Sequence, residues 1–206
     1  MPPARNPAVR YAAFYGAVFL AVGIYQPFWP VFLNSRGLDA AEIGLLFALV
    51  SWLRVVTTPA IAQIADRSGR AKTTLVVVAA LCLVVFTGFF EARGFWPILL
   101  VMLPAAVCFQ PMIPLAESQT MAAVLRERLD YGRIRLWGSL AFIFGSLGAG
   151  FLITGHGPEL VFYLVLGALA LTLLAAFALP ASPARRHEGP PQNPLKLLRN
   201  RRFLLF

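Results

Sequence analysis

Charge is what this sequence has least of. Charged residues fill 13% of its 206 positions, and only nine of them are Asp or Glu, where a soluble domain carries about 25%. Histidine is nearly absent, at two copies, and cysteine is equally rare. No Cys or His ligand spacing and no His-Glu zinc pair occur, so no metal and no cofactor are expected. Cys82 and Cys108 lie inside apolar runs and read as packing residues. The chain also lacks a phosphate-cradling glycine-rich loop and a G-x-S-x-G elbow. With no Ser–His couple and no second acid beside Glu117, an intramembrane enzyme is the weakest reading.

What is present is apolar. Hydrophobic residues reach 59% and the mean hydropathy is +0.72. Six apolar segments can be cut, at 11–33, 41–64, 73–90, 95–121, 136–153 and 159–179. Most have the roughly 18 to 25 residues that cross a hydrocarbon core of about 30 Å. The first is too long for a signal-peptide core, and its Tyr25-Gln26-Pro27-Phe28-Trp29-Pro30 run is unlike a small-residue cleavage site. The sequence therefore predicts an all-α membrane protein, a bundle of six transmembrane helices.

The net charge of +9 is distributed by side, which removes the nucleic-acid reading. Fifteen of the 18 Lys and Arg fall in the amino terminus, the 65–72 loop, the 122–135 loop and the 180–206 tail. Arg36 and Arg93 alone lie on the other side, and Arg54 lies inside the second segment. The positive-inside rule then puts both ends of the chain in the cytoplasm of a multi-pass protein of the inner (plasma) membrane. Four regions follow: a cytoplasmic amino terminus over 1–10, the transmembrane domain over 11–180, a polar Pro-containing linker over 181–194, and a basic amphipathic stretch over 195–206. That last stretch turns apolar at Phe203-Leu204-Leu205-Phe206. A tail lying on the membrane surface is one reading. The start of a truncated seventh helix is favoured, which makes the chain the amino-terminal half of a longer protein.

Two internal echoes predict a 3+3 inverted repeat. Tyr25-Gln26-Pro27-x-x-Pro30 in the first segment matches Phe109-Gln110-Pro111-x-x-Pro114 in the fourth. Leu38-Asp39-x-x-x-Ile43 before the second matches Leu129-Asp130-x-x-x-Ile134 before the fifth. Transporters are commonly built from such repeats, with broken helices near the repeat interface.

Polar residues inside the segments mark candidate sites, because ionisable groups in lipid are costly. At 100° per residue Gln110, Pro114, Glu117 and Met121 share one face of the fourth helix. Arg135, Ser139, Phe142, Ser146 and Ala149 share a face of the fifth, beside a small-residue stripe of Gly138, Ala141, Gly145 and Gly148 that permits close helix packing. For Ser139 and Ser146, helix–helix hydrogen bonding is at least as good a reading as ligand contact. Arg54 should face a cavity or an acid, Glu117 or an anionic solute. In the first helix Tyr11, Tyr15, Phe19, Val22, Gln26 and Trp29 fall at helical spacing. There core packing is the default and Gln26 is the best ligand contact.

The loop Asp66-Arg67-Ser68-Gly69-Arg70-Ala71-Lys72 resembles the D-R-x-G-R-x-K loop signature of the major facilitator superfamily, in which it latches a cytoplasmic gate. The implied gate residues are Asp66, Arg67, Gly69 and Arg70. The glycine usual at the start of that motif is replaced by Ala62 or Gln63. The stretch Tyr131-Gly132-Arg133-Ile134-Arg135-Leu136-Trp137-Gly138 is similar to the start of helix five in the lactose permease and its phenylpropionate permease and nucleoside–proton symporter relatives. That resemblance implies one half of a 12-helix carrier whose partner is a missing carboxy-terminal six-helix half. It implies alternating access and coupling to protons. It also implies a solute held by Glu117 and Arg135, with Gln110 as a neighbouring amide. Phe142 stands where the lactose permease stacks a tryptophan on the sugar. An aromatic carboxylate would suit Arg54, Arg135, Phe142 and Trp29; a nucleoside or sugar is the alternative solute. A non-transporting membrane scaffold is the alternative of another class, and it predicts no polar faces converging on a cavity.

Overall fold

The computed structural model describes residues 7–180. The linker expected over 181–194 and the seventh-helix start over 195–206 lie outside them. Seven α-helices follow in order: α1 (Pro7–Ser35), α2 (Ala40–Ser68), α3 (Ala71–Thr87), α4 (Phe95–Phe109), α5 (Met112–Glu127), α6 (Tyr131–His156) and α7 (Leu160–Ala178). A short 3-10 turn, Gly88–Phe90, extends α3. No strand occurs among the described residues. α4 and α5 together make one span, Phe95–Glu127, so the helices form six spans long and apolar enough to cross a membrane. The helices overrun the apolar segments at their ends. Asp66 and Arg67 sit in the last turn of α2, and Arg133 and Arg135 in the first turns of α6. The backbone ladder continues into the interface, where charged side chains reach water.

The Leu-Asp-x-x-x-Ile echo proves to be a helix start used twice. Asp39 caps α2, accepting from the Glu42 N–H at 2.8 Å, and Glu42 returns the bond to the Asp39 N–H at 3.0 Å. Asp130 caps α6, accepting from the Arg133 N–H at 3.1 Å. In both, the leucine precedes the cap and the isoleucine falls four residues into the helix, the positions of a hydrophobic staple.

The packing follows the repeat. α1 packs on α6 and α7, the α4/α5 span packs on α2 and α3, and α3 packs on α7. Exchanging the first three spans for the last three maps this set of contacts onto itself. The two halves are nevertheless unequally tight, because α1 against α6 is the most extensive contact in the bundle. Glycine makes it possible. A Cβ on Gly23 would overlap the carbonyl oxygen of Phe142, and one on Gly145 would lie 3.0 Å from the Leu20 carbonyl oxygen. Gly138 packs on the Phe19 ring, whereas Gly148 faces open space, so the predicted small-residue stripe ends before it.

Ser146 completes this junction. Pro27 has no N–H to offer the Gly23 carbonyl one turn back. The Ser146 hydroxyl donates to that carbonyl at 2.7 Å, across from α6. The freed acceptor is satisfied, and α1 runs through Pro27 and Pro30 unbroken.

At the bundle end away from the amino terminus, Arg36 is buried, with 6% of its surface exposed. Its Nη2 donates to Glu159 Oε2 at 2.5 Å and its Nη1 to the Phe90 carbonyl at 3.0 Å. The guanidinium sits over the Phe32 ring, and the Arg36 carbonyl accepts from the Gly94 N–H at 3.1 Å. One side chain thus ties the ends of α1, the 3-10 turn and α7 together. A buried arginine needs such a partner.

Candidate functional site

A cavity of about 380 Å³ opens between α1, α2, α3 and the α4/α5 span. That lies in the range of small-molecule sites, roughly 300–1,000 Å³. Its polar wall is Gln26 from α1, Arg54 from α2, Gln110 from the α4–α5 break and Glu117 from α5. Its apolar wall includes Tyr25, Phe86, Phe89, Met102 and Phe109.

Local sequence explains each placement. Pro111 and Pro114 carry no N–H, so neither the Val107 nor the Gln110 carbonyl receives its usual helical bond. The chain leaves the helix at Gln110 and Pro111 and resumes at Met112. Gln110 stands at that break, and Glu117 follows two turns later on the same face, with Pro114 between them. Gln26, the matching residue of the other echo, also lines the cavity. The two repeats therefore present one amide each to the same space.

Glu117 and Arg135 approach each other but do not grip. Glu117 Oε1 lies 4.0 Å from Arg135 Nε, too far for a hydrogen bond. Both side chains stay part-exposed, at 42% and 30%, so the pair contributes at most about 1 kcal/mol. The guanidinium instead rests over Phe19, 4.0 Å from the ring centroid, with Tyr15 5.6 Å away. Arg54 belongs to none of the four ion pairs among the described residues. It shares the cavity with Glu117, yet the acid's ion pair is with Arg135.

The α6 face expected to carry ligand contacts turns largely onto α1. Ser146 is spent on Gly23, Ala149 is buried, and the Phe142 backbone packs against Gly23. Neither Phe142 nor Arg135 lines the cavity. Trp29 is fully buried in a ring cluster with Phe32, Phe86 and Phe89, as are Tyr11 and Tyr15 in the core.

In the α2–α3 loop Gly69 adopts φ 62°, the left-handed turn that glycine allows, and its N–H donates to the Asp66 carbonyl. Asp66, Arg67 and Arg70 are exposed, and none has an ion pair among the described residues. No side chain caps α3. The firm contact of this loop is Lys72, whose Nζ donates to the carbonyls of Phe177 and Leu179 at 2.9 and 2.5 Å. A cation at the carbonyl end of α7 complements the helix dipole.

Sequence reasoning missed the Arg36–Glu159 tie, the Lys72 cap and the α3 part of the cavity wall. The first two join residues more than 100 positions apart, where no local pattern can signal them. Phe86 and Phe89 sit in an apolar run that reads as lipid-facing or core alike.

Known proteins place the fold. The model of the "MFS_1 like family" matches residues 8–201. The "Probable 3-phenylpropionic acid transporter" of Escherichia coli is 32% identical over 166 residues, covering 81% of this chain and 44% of that protein. The maltose permease of Geobacillus stearothermophilus is 28% identical, with 95% of this chain and 52% of that protein covered. The crystal structure of the nucleoside transporter NupG superposes with a TM-score of 0.78 at 17% identity, over 98% of this chain and 52% of that one. The chain thus spans about half the length of the relatives it matches. Six spans in two matched sets of three, a solute-sized cavity between them and a family match over nearly the whole chain agree: this chain belongs to the major facilitator superfamily, in its MFS_1-like family.

Proposed function

We propose that the chain is the amino-terminal six-helix half of a secondary active transporter, driving proton-coupled uptake of a small aromatic carboxylate. The observation that carries this reading is Arg54, a cation halfway along α2 on the cavity wall, with no acid within ion-pair distance among the described residues. An unpaired charge in the middle of a membrane span is costly, and a carboxylate solute would offset that cost. Glu117, loosely held by Arg135, is the group suited to exchange a proton or a ligand contact. Gln26 and Gln110 would accept or donate to the solute's polar end. Arg135 and Phe142 would meet the solute only if α6 moved relative to α1.

The solute site is completed by a carboxy-terminal half, and the two halves rock about it. The α2–α3 loop, with Asp66, Arg67, Gly69 and Arg70, would latch the cytoplasmic side of that motion. Both ends of the chain lie in the cytoplasm, and the membrane is the inner (plasma) membrane. The maltose permease and nucleoside transporter relatives, with the paired amides, favour a neutral sugar or nucleoside as the second reading.

Uptake of labelled phenylpropionate and of a nucleoside, by the protein as its gene encodes it, separates the two. The proposal expects phenylpropionate uptake that collapses when the proton gradient is dissipated. Nucleoside uptake alone supports the second reading.

A further inference from the structure

Arg135 is held by aromatic rings rather than by an acid. A guanidinium carries five N–H donors, and none of those on Arg135 has a hydrogen-bond acceptor among the described residues. Its ion-pair partner, Glu117, stays 4.0 Å away. The contact it does make is with α1, where its guanidinium carbon lies 4.0 Å from the Phe19 ring centroid and 5.6 Å from that of Tyr15. Those two rings lie one turn apart and nearly parallel, 17° between planes and 6.2 Å between centroids. Gly138 completes the slot. A Cβ there would lie 3.2 Å from Arg135 Nη1 and 2.9 Å from Phe19 Cδ2, so a larger residue would crowd cation and ring alike.

Strength and position both make this more than packing. A cation over a ring and a part-exposed ion pair are comparable in strength, so Arg135 can change partners at little cost. Phe19 is not among the residues lining the cavity, whereas Glu117 is. Seated on Phe19, the guanidinium is withheld from the solute space. A movement of α6 relative to α1 that brings Arg135 to a solute must first lift it off that ring.

We propose that Phe19, backed by Gly138, berths Arg135 off the cavity wall and so competes with the solute for the guanidinium. Phe19 is a positioning residue: it touches no solute and acts through Arg135. It stabilises an arrangement that the solute must undo, which loosens binding and favours release, because a ligand that needs a minor arrangement of the protein binds more weakly by that fraction. This rests on the transport reading above but not on the choice of solute, since a guanidinium donates to a carboxylate or to a hydroxyl oxygen alike. A ring that merely filled space between α1 and α6 would act with the opposite sign, because its loss would leave a void and weaken the site.

Uptake kinetics separate the two signs, using the protein as encoded, reconstituted in liposomes, with whichever of labelled phenylpropionate and a labelled nucleoside it carries. Phe19→Leu should lower KM roughly two- to tenfold, the span of one cation–ring contact, and should lower kcat as release slows. Phe19→Tyr, which restores the ring, should return both to wild-type values. In an Arg135→Gln background, Phe19→Leu should leave KM where Arg135→Gln alone puts it. A KM unchanged or raised in folded Phe19→Leu, or the same fall in KM without Arg135, overturns the berth and leaves the transport reading standing. If Phe19→Leu does not reach the membrane, Phe19→Met removes the ring while keeping more of its volume and is read in the same way. Carriage of neither solute removes the transport reading and this role for Phe19 with it.

Discussion

The two halves of the repeat carry the same aromatic-Gln-Pro-x-x-Pro motif and do opposite things with it. In α1 the chain passes through both prolines without a break; in the fourth span it breaks into α4 and α5. The difference lies in the partner helix. Counting the same number of residues from each capping aspartate, Ser146 of α6 corresponds to Val55 of α2, and Gly145 corresponds to Arg54. Ser146 supplies the donor that Pro27 withholds, and Gly145 lets α6 lie on α1. Val55 has no donor, and Arg54 is too large and too polar to be packed against. One side closes into a helix junction, and the other stays open as a cavity lined by Arg54 and Gln110. Irregular backbone at membrane depth is tolerated where protein buries it or where it lines a cavity, and here the break falls on the cavity side.

The largest effect should come from forcing the closed side apart. Gly23→Val places side-chain atoms where the Phe142 backbone lies. It should cost several kcal/mol, above the roughly 1–3 typical of overpacking because backbone must move. Loss of folded protein in detergent, read by size-exclusion chromatography, checks it; a normal yield would mean that the contact is not needed. Next comes the open side, where Arg54→Gln should reduce uptake of a carboxylate at least about tenfold, the loss of one charge-assisted contact. Unaltered uptake would remove Arg54 from the site.

A middling effect is expected away from both. Arg36→Met leaves Glu159 and the Phe90 carbonyl without their donor and should lower stability by about 1–3 kcal/mol, seen as a fall in Tm with solute selectivity retained. The smallest should be Ser146→Ala. It removes one interhelical bond, worth about 0.6 kcal/mol in such bundles, and frees the Gly23 carbonyl. A thermal scan should show a slight drop. A large drop would mean that α1 depends on that bond to stay continuous.

Much of the architecture could be read from residues alone, because lipid imposes simple rules. Six apolar runs of sufficient length, Asp39 and Asp130 before two of them, and Gly69 in a tight turn each have a local cause. The polar face of the fourth span was legible too, since Gln110, Pro114 and Glu117 follow helical spacing. The α6 face was not. Periodicity put Arg135, Phe142 and Ser146 on one face but is silent about which neighbour that face meets. The adjacent glycines then drew it onto α1. The Arg36–Glu159 tie and the aromatic wall of the cavity depend on residues far apart in the chain, and only the packed bundle joins them.

Whether the α2–α4/α5 side is open to solute and the α1–α6 side closed can be tested without a substrate. In a background with Cys82→Ala and Cys108→Ala, introduce either Gln110→Cys or Ala149→Cys and expose the membranes to a water-soluble thiol reagent. Gln110 lines the cavity and Ala149 is 3% exposed between helices. Rapid labelling at position 110 and little at 149 is the expected result; labelling at 149 with protection at 110 would mean that the open and closed sides are reversed.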